Sequence, residues 1–97
     1  MHLVIEVVEI KGRCPVYKLG DRITLHEGYI LRGGEPEGIC LHSLASVMPY
    51  YVALSRGIAA KDLGLARGDS EEAYLHCLDP CEITGGGTVI FAVGRVA

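Results

Sequence analysis

Apolar and polar residues alternate along several short stretches of the chain, and a spacing of two is typical of β-strands. In the first stretch, residues 3–10, Leu3, Ile5 and Val7 share one face. Val4, Val8 and Ile10 lie on the other face with Glu6, so we expect a strand that is partly covered on both sides, at the centre of a sheet. The same pattern predicts further strands at residues 22–26, 29–32, 73–78, 82–84 and 88–96.

A helical spacing occurs in the middle of the chain. Apolar residues recur there at i, i+3, i+4, i+7 and i+11, namely Leu41, Leu44, Ala45, Met48 and Val52. This spacing predicts an amphipathic helix whose apolar stripe faces the sheet. Pro49 lies within the stripe, lacks an N–H group and collides with the carbonyl four residues earlier. We therefore expect a kink there, or two short helices.

Glycine and proline separate these elements. They predict loops at residues 11–21 and 33–38, a turn at residues 85–87, and a surface segment at residues 58–72 with one short helical turn. No internal repeat or linker divides the chain. The prediction is a single domain over residues 1–97, of the α+β class, with a four- to five-stranded, mainly antiparallel sheet and one kinked helix inserted mid-chain.

Charge and hydropathy narrow the range of partners. The formal net charge is −3 and no stretch concentrates Lys and Arg, whereas nucleic-acid-binding proteins present a basic surface to the phosphates. The apolar runs are far shorter than the roughly 20 residues that cross a bilayer. The first residues also lack the pattern of a secretory signal. We expect a cytoplasmic protein that binds neither nucleic acid nor membrane and whose cysteines are reduced.

Four cysteines supply the candidate chemistry, Cys14, Cys40, Cys77 and Cys81. Structural zinc sites are usually built from close pairs such as Cys-x-x-Cys, and here only Cys77 and Cys81 are close. However, Cys14 follows a predicted strand, Cys40 begins the predicted helix and Cys77 ends a predicted strand. Three such element ends can converge on one rim of a sheet. The four thiols are therefore a candidate ligand set for zinc, iron or an iron–sulfur cluster. The alternative is that they bind no cofactor and pack as small apolar side chains.

Other polar residues carry a weaker signal. His42 and His76 lie near cysteines in the sequence, and imidazole suits zinc and iron. Because side chains alternate on a strand and rotate by about 100° per residue on a helix, we expect both histidines to point away from those thiols, at the surface. Asp21 and Asp79 lie beside glycine or proline in loops, where carboxylates commonly accept backbone hydrogen bonds.

Several motifs in combination resemble a known family. They are Gly12-Arg13-Cys14-Pro15, Lys18-Leu19-Gly20-Asp21, Pro36-Glu37-Gly38-Ile39-Cys40, Pro49 and Cys77-Leu78-Asp79-Pro80. The chain resembles a family of prokaryotic proteins of this length, frequent in anaerobes, for which no activity is established. The resemblance implies that Cys14, Cys40 and Cys77 are family cysteines and that Cys81 is an addition. Where the family has Gly-His, this chain has Val16-Tyr17, so a histidine ligand there is missing.

Three functional hypotheses follow. The first is a small cysteine-containing binding module in which the four thiols hold a metal ion or an iron–sulfur cluster. The second is a structural or interaction protein, homo-oligomeric, whose cysteines only pack the core. The third is a thiol-dependent enzyme with Cys40 as nucleophile, because N–H groups at a helix start stabilise a thiolate. The third hypothesis also needs a nearby base, which the sequence does not identify.

Overall fold

A computed structural model describes residues 1–32 and 36–97. Its strands are β1 (His2–Gly12), β2 (Arg22–His26), β3 (Ile30–Leu31), β4 (Ala73–His76) and β5 (Gly87–Val96). Its helices are α1 (Leu41–Val47), α2 (Tyr51–Ser55) and α3 (Cys81–Thr84), and a 3₁₀ turn spans Ala60–Leu63. Part of the loop predicted at residues 33–38 lies outside the described residues.

The five strands form one sheet in the order β3-β2-β1-β5-β4. Each neighbouring pair is antiparallel, which confirms the predicted α+β class and the central position of β1. The largest fully buried side chains come from the two central strands, and they are Leu3, Ile5, Val89, Phe91 and Val93. The core therefore lies on one face of the sheet, under the helices.

A β-bulge changes the face on which the second half of β1 points its side chains. The pairing of β1 with β5 shifts between Val7 and Glu9, so that Val8 is the extra residue. Beyond the bulge, Ile10 packs against the core and Glu9 is exposed. The expectation that Ile10 lies on the face opposite Leu3 is therefore wrong, because the bulge inverts the alternation.

The middle of the chain forms two short helices, α1 and α2, separated by residues 48–50. This division matches one of the two outcomes expected from Pro49, and a kink within one continuous helix is not confirmed. The C-cap residue Met48 keeps α-helical dihedral angles and donates its N–H to the carbonyl of Leu44. The helical spacing of α1 thus extends through Met48.

The predicted apolar stripe does not face the sheet: Leu44 is half-buried, and the other four residues of the stripe are exposed. Leu41, Met48 and Val52 are 76%, 58% and 52% exposed, and Ala45 is exposed as well. The side chains that α1 and α2 bury are instead Ser43, Val47, Leu54 and Ser55. These residues follow an equally regular helical spacing. The sequence pattern did not favour them, because two of the four are serines.

A third correction concerns residues 82–84, which were predicted as a strand. They belong to α3, which follows Pro80 and ends at Gly85, a residue in the left-handed region with φ 76°. Proline before a helix and glycine after it are ordinary helix boundaries. The 3₁₀ turn confirms the helical turn predicted within residues 58–72. Within the described part of the chain, no helix is long and apolar enough to cross a membrane.

Candidate functional site

Three of the cysteines lie at the same end of the sheet. Gly12, the last residue of β1, pairs with Gly87, the first residue of β5. Since β4 is antiparallel to β5 and its last residue, His76, pairs with Ile90, β4 also ends there. Cys14, Cys77 and Cys81 follow shortly after these strand ends along the chain. We call this region the cysteine end.

Tyr17 connects the loop after β1 to the start of α1. Its backbone N–H donates a hydrogen bond of 3.3 Å to Cys14 Sγ, and its hydroxyl accepts one of 2.8 Å from the N–H of Cys40. The Tyr17 ring is buried and meets Phe91 edge to face, with ring centroids 5.8 Å apart. Tyr17 thus fixes the positions of both Cys14 and Cys40.

Cys77 is a core residue. It is buried and belongs to the hydrophobic cluster under the helices. Its sulfur accepts a hydrogen bond of 3.3 Å from the N–H of Val89 and lies 3.6 Å from the carbonyl oxygen of Gly87. These contacts satisfy the thiol within the protein, as expected for a cysteine that packs as a small apolar side chain.

Cys81 lies against the backbone where β1 ends and β5 begins. Its sulfur is 3.4 Å from the carbonyl oxygens of both Lys11 and Gly86. Gly12 leaves room for it, since a Cβ atom at that position would come within 2.4 Å of the sulfur. Two carbonyl oxygens favour a thiol that donates its proton, and they would repel a metal-bound thiolate. Cys81 therefore suits a structural role better than a ligand role.

The predicted metal-ligand set can be tested against these positions. Among residues 1–32 and 36–97, no group of three or more His, Cys, Asp or Glu side chains is arranged to hold a metal ion. All four cysteines are free thiols. Ligation of zinc, iron or an iron–sulfur cluster by Cys14, Cys40, Cys77 and Cys81 therefore stays a prediction, because the thiols as placed do not form a ready coordination sphere.

The remaining predicted residues include Cys40, the two histidines and Asp79. Cys40 is the N-cap of α1, as expected, but its side chain makes no capping hydrogen bond. His42 and His76 are exposed, which confirms their surface position. Asp79 binds the backbone N–H of Gly87 at 3.3 Å and the Thr84 hydroxyl. It therefore fixes α3, which begins at Cys81, and it accepts a backbone hydrogen bond as predicted for a carboxylate beside proline.

A second surface, on α1 and α2, exposes apolar side chains. We call Leu41, Ala45, Met48 and Val52 the α1–α2 face; all four are exposed. Residues 38–55, which include this face, contain no Asp, Glu, Lys or Arg. In a chain with 22% charged residues, an exposed pair of helices without formal charge is unusual. The sequence contained this signal, but the predicted orientation assigned these side chains to the core.

A cleft of about 770 Å³ lies at the end of the sheet opposite the cysteines, between residues 57–61 and 69–72. Two of its cations are engaged by neighbouring carboxylates. Arg22 lies 3.3 Å from Glu6, and Lys61 lies 3.5 Å from Asp69. The cleft thus combines apolar residues with charged ones, some of which are paired with each other.

Comparison with known families, curated proteins and solved structures finds no match to this chain. The motif resemblance therefore stays a prediction. The features that bear on function are the cysteine end and the α1–α2 face.

Proposed function

We propose that this protein is a structural or interaction protein that acts by docking its α1–α2 face onto another protein surface. The observation that carries this proposal is the exposure of Leu41, Met48 and Val52 on two helices without formal charge. In this proposal the cysteines stabilise the end of the sheet from which α1 starts.

The composition of the face supports a protein contact. The core of a protein–protein interface is depleted of charged residues and enriched in methionine and aromatic residues. Residues 38–55 fit this description in their lack of charge and in the exposed Met48. Full burial of a Leu, Val or Met side chain is worth about 1.5–3 kcal/mol. Covering three such side chains would contribute several kcal/mol to association.

The cysteine end supports the proposal in a second way. Cys77 is satisfied within the core, and Cys81 donates to backbone carbonyls. Tyr17 holds the N–H of Cys40 and thereby fixes the start of α1. These contacts make the end of the sheet a support for the helices. A rigid support favours binding, because less conformational entropy is lost when the partner docks.

The test is the apparent mass of the tagged protein in a clarified cell extract, measured by size-exclusion chromatography. The wild type should elute above the monomer mass. The double variant Leu41→Gln/Met48→Gln should elute as a monomer, because it removes apolar area from the face without touching the core. Ile83→Gln is the matched control, since Ile83 is 86% exposed but lies on α3. It should elute like the wild type.

Two outcomes would contradict the proposal. One is a wild type that elutes as a monomer in the extract. The other is a double variant that keeps the wild-type elution volume. Circular dichroism of the purified double variant should match that of the wild type, which shows that the change in mass does not arise from unfolding.

A second function, a cysteine-containing binding module that holds a metal ion or cluster, is favoured by one specific observation. The sulfurs of Cys14 and Cys77 accept backbone N–H groups, and hydrogen bonds to sulfur are among the features that tune thiolate-bound clusters. Cys14 also lines a shallow pocket with Arg13 and Lys18. Binding there requires the thiols to move into one coordination sphere.

This second function predicts metal in protein that is purified anaerobically. Elemental analysis should find near-stoichiometric zinc or iron, with thiolate charge-transfer absorption if the metal is iron. Cys14→Ser should lose most of it. Cys81→Ser should retain it, because the Cys81 sulfur faces two carbonyl oxygens. A wild type without metal would exclude the module, and equal loss in both variants would contradict the distinction between Cys14 and Cys81.

A further inference from the structure

We infer that the occupant of the α1–α2 face is a second copy of this chain, packed antiparallel about a two-fold axis that passes beside Ala45. This inference rests on the proposed function and names its partner. It commits to a closed dimer in which the same face is used by both copies.

Large and small side chains alternate along α1 in an order that fits a second, antiparallel copy of the same helix. Leu41 and Met48 flank the small Ala45 at helical spacings of four and three residues. At a rise of 1.5 Å per residue, they lie about 6 Å and 4.5 Å from it along the helix axis. In an antiparallel pair centred on Ala45, Leu41 of each copy faces Met48 of the other. The two alanines meet at the axis, where small residues let helices approach closely.

The absence of formal charge from residues 38–55 also favours a second copy. In a two-fold contact, residues near the axis face their own counterparts, so any charged residue there would meet a like charge. Complementary charges commonly give specificity to a contact between different proteins. The net charge of −3 argues against the alternative of an anionic membrane surface.

The shape of the molecule places the helices on a broad side. The principal extents are 36 × 31 × 20 Å, and the shortest matches a sheet covered by one layer of helices. The helix side is therefore one of the two broad sides. A standard interface buries about 800 Å² on each partner, which is roughly an eighth of the accessible surface of 6226 Å².

The experiment uses the purified chain and sedimentation velocity over a range of concentrations. The wild type should sediment as a dimer at micromolar concentration. Ala45→Glu and Ala45→Lys should each sediment as monomers, with the dissociation constant raised roughly a hundredfold or more by the like charges across the axis. Glu and Lys are good helix formers and Ala45 is exposed, so both variants should keep the wild-type circular dichroism.

The decisive sample is an equimolar mixture of the two variants. If Ala45 faces its own counterpart, Glu and Lys attract each other across the axis and the mixture should sediment as a heterodimer. A mixture that stays monomeric overturns the axis at Ala45. If the purified wild type sediments as a monomer but elutes above the monomer mass in the extract, the partner is not a second copy of the chain. The proposed function would still stand.

Discussion

Single residues decide how closely the backbone packs at the cysteine end. Gly12 has φ 76°, a conformation that side chains disfavour, and it is also crowded. A Cβ atom there would come within 2.4 Å of both the Cys81 sulfur and the Gly86 carbonyl oxygen. The glycine in the Gly-x-Cys-Pro motif is therefore required by the contact between β1 and the segment that carries Cys81.

Gly12→Ala should lower the free energy of unfolding by about 2–5 kcal/mol, because left-handed strain of about 1–2 kcal/mol adds to overpacking of about 1–3 kcal/mol. Gly64→Ala is the matched control, since Gly64 has φ 73° but open space around it. Gly64→Ala should lower the free energy of unfolding by the strain alone, about 1–2 kcal/mol. Urea denaturation of both variants measures the difference. If both variants lose the same free energy of unfolding, crowding by Cys81 and Gly86 does not add to the cost at Gly12.

At the scale of elements, one hydrogen bond fixes the loop after β1 to the start of α1. The N–H of Cys40 is not satisfied by the helix, since it precedes the first turn. The Tyr17 hydroxyl accepts it at 2.8 Å. This contact spans 23 residues and connects two segments of the cysteine end.

Tyr17→Phe should destabilise the protein by about 1–3 kcal/mol, because it leaves the Cys40 N–H without a partner while keeping the ring against Phe91. Tyr29→Phe serves as the control, since Tyr29 is 66% exposed, and it should change stability by less than about 0.5 kcal/mol. Thermal unfolding followed by circular dichroism gives both values. If Tyr17→Phe unfolds like the control, the hydroxyl does not hold α1.

The strands were predictable because their residues are β-branched and alternate in polarity. β1 was placed at the centre of the sheet because apolar residues occur on both of its faces. Its bulge at Val8 was not predictable, because pairing register is set by the partner strand. The helix boundaries followed from Pro49, but the buried face did not. Two competing stripes both fit a helical period, and the more apolar one points outward.

The candidate site was predictable only in its location. The sequence indicated that element ends would bring Cys14, Cys40 and Cys77 to one rim. Cys14 and Cys77 do follow strand ends that meet there, and Cys81 joins them. Cys40 lies instead at the start of α1, where Tyr17 connects it to the loop after β1. It did not indicate which sulfurs contact carbonyl oxygens or N–H groups. Those contacts depend on side chains far apart in the chain, such as Cys81 and Lys11, and on glycines that leave room for them.

At the scale of the whole molecule, Cys77 reports on the stability of the core. It is 5% exposed and lies in the same hydrophobic cluster as Phe91. Cys14 is only half-buried, in the loop after β1. A reagent that modifies thiols should therefore reach Cys77 through opening of the core, whereas it reaches Cys14 in the folded protein.

Cys77 should be alkylated only in molecules whose core has opened. Its alkylation rate in the native protein should therefore equal the rate in an unfolded control multiplied by the equilibrium constant for global unfolding. The free energy calculated from the ratio of the two rates should equal the value from urea denaturation. Peptide mass spectrometry follows each cysteine separately, and Cys14 gives the rate for the folded surface. Modification of Cys77 as fast as Cys14 in native buffer would mean that the cysteine end opens independently of the core. The cysteines could then move together without unfolding, as metal binding would require.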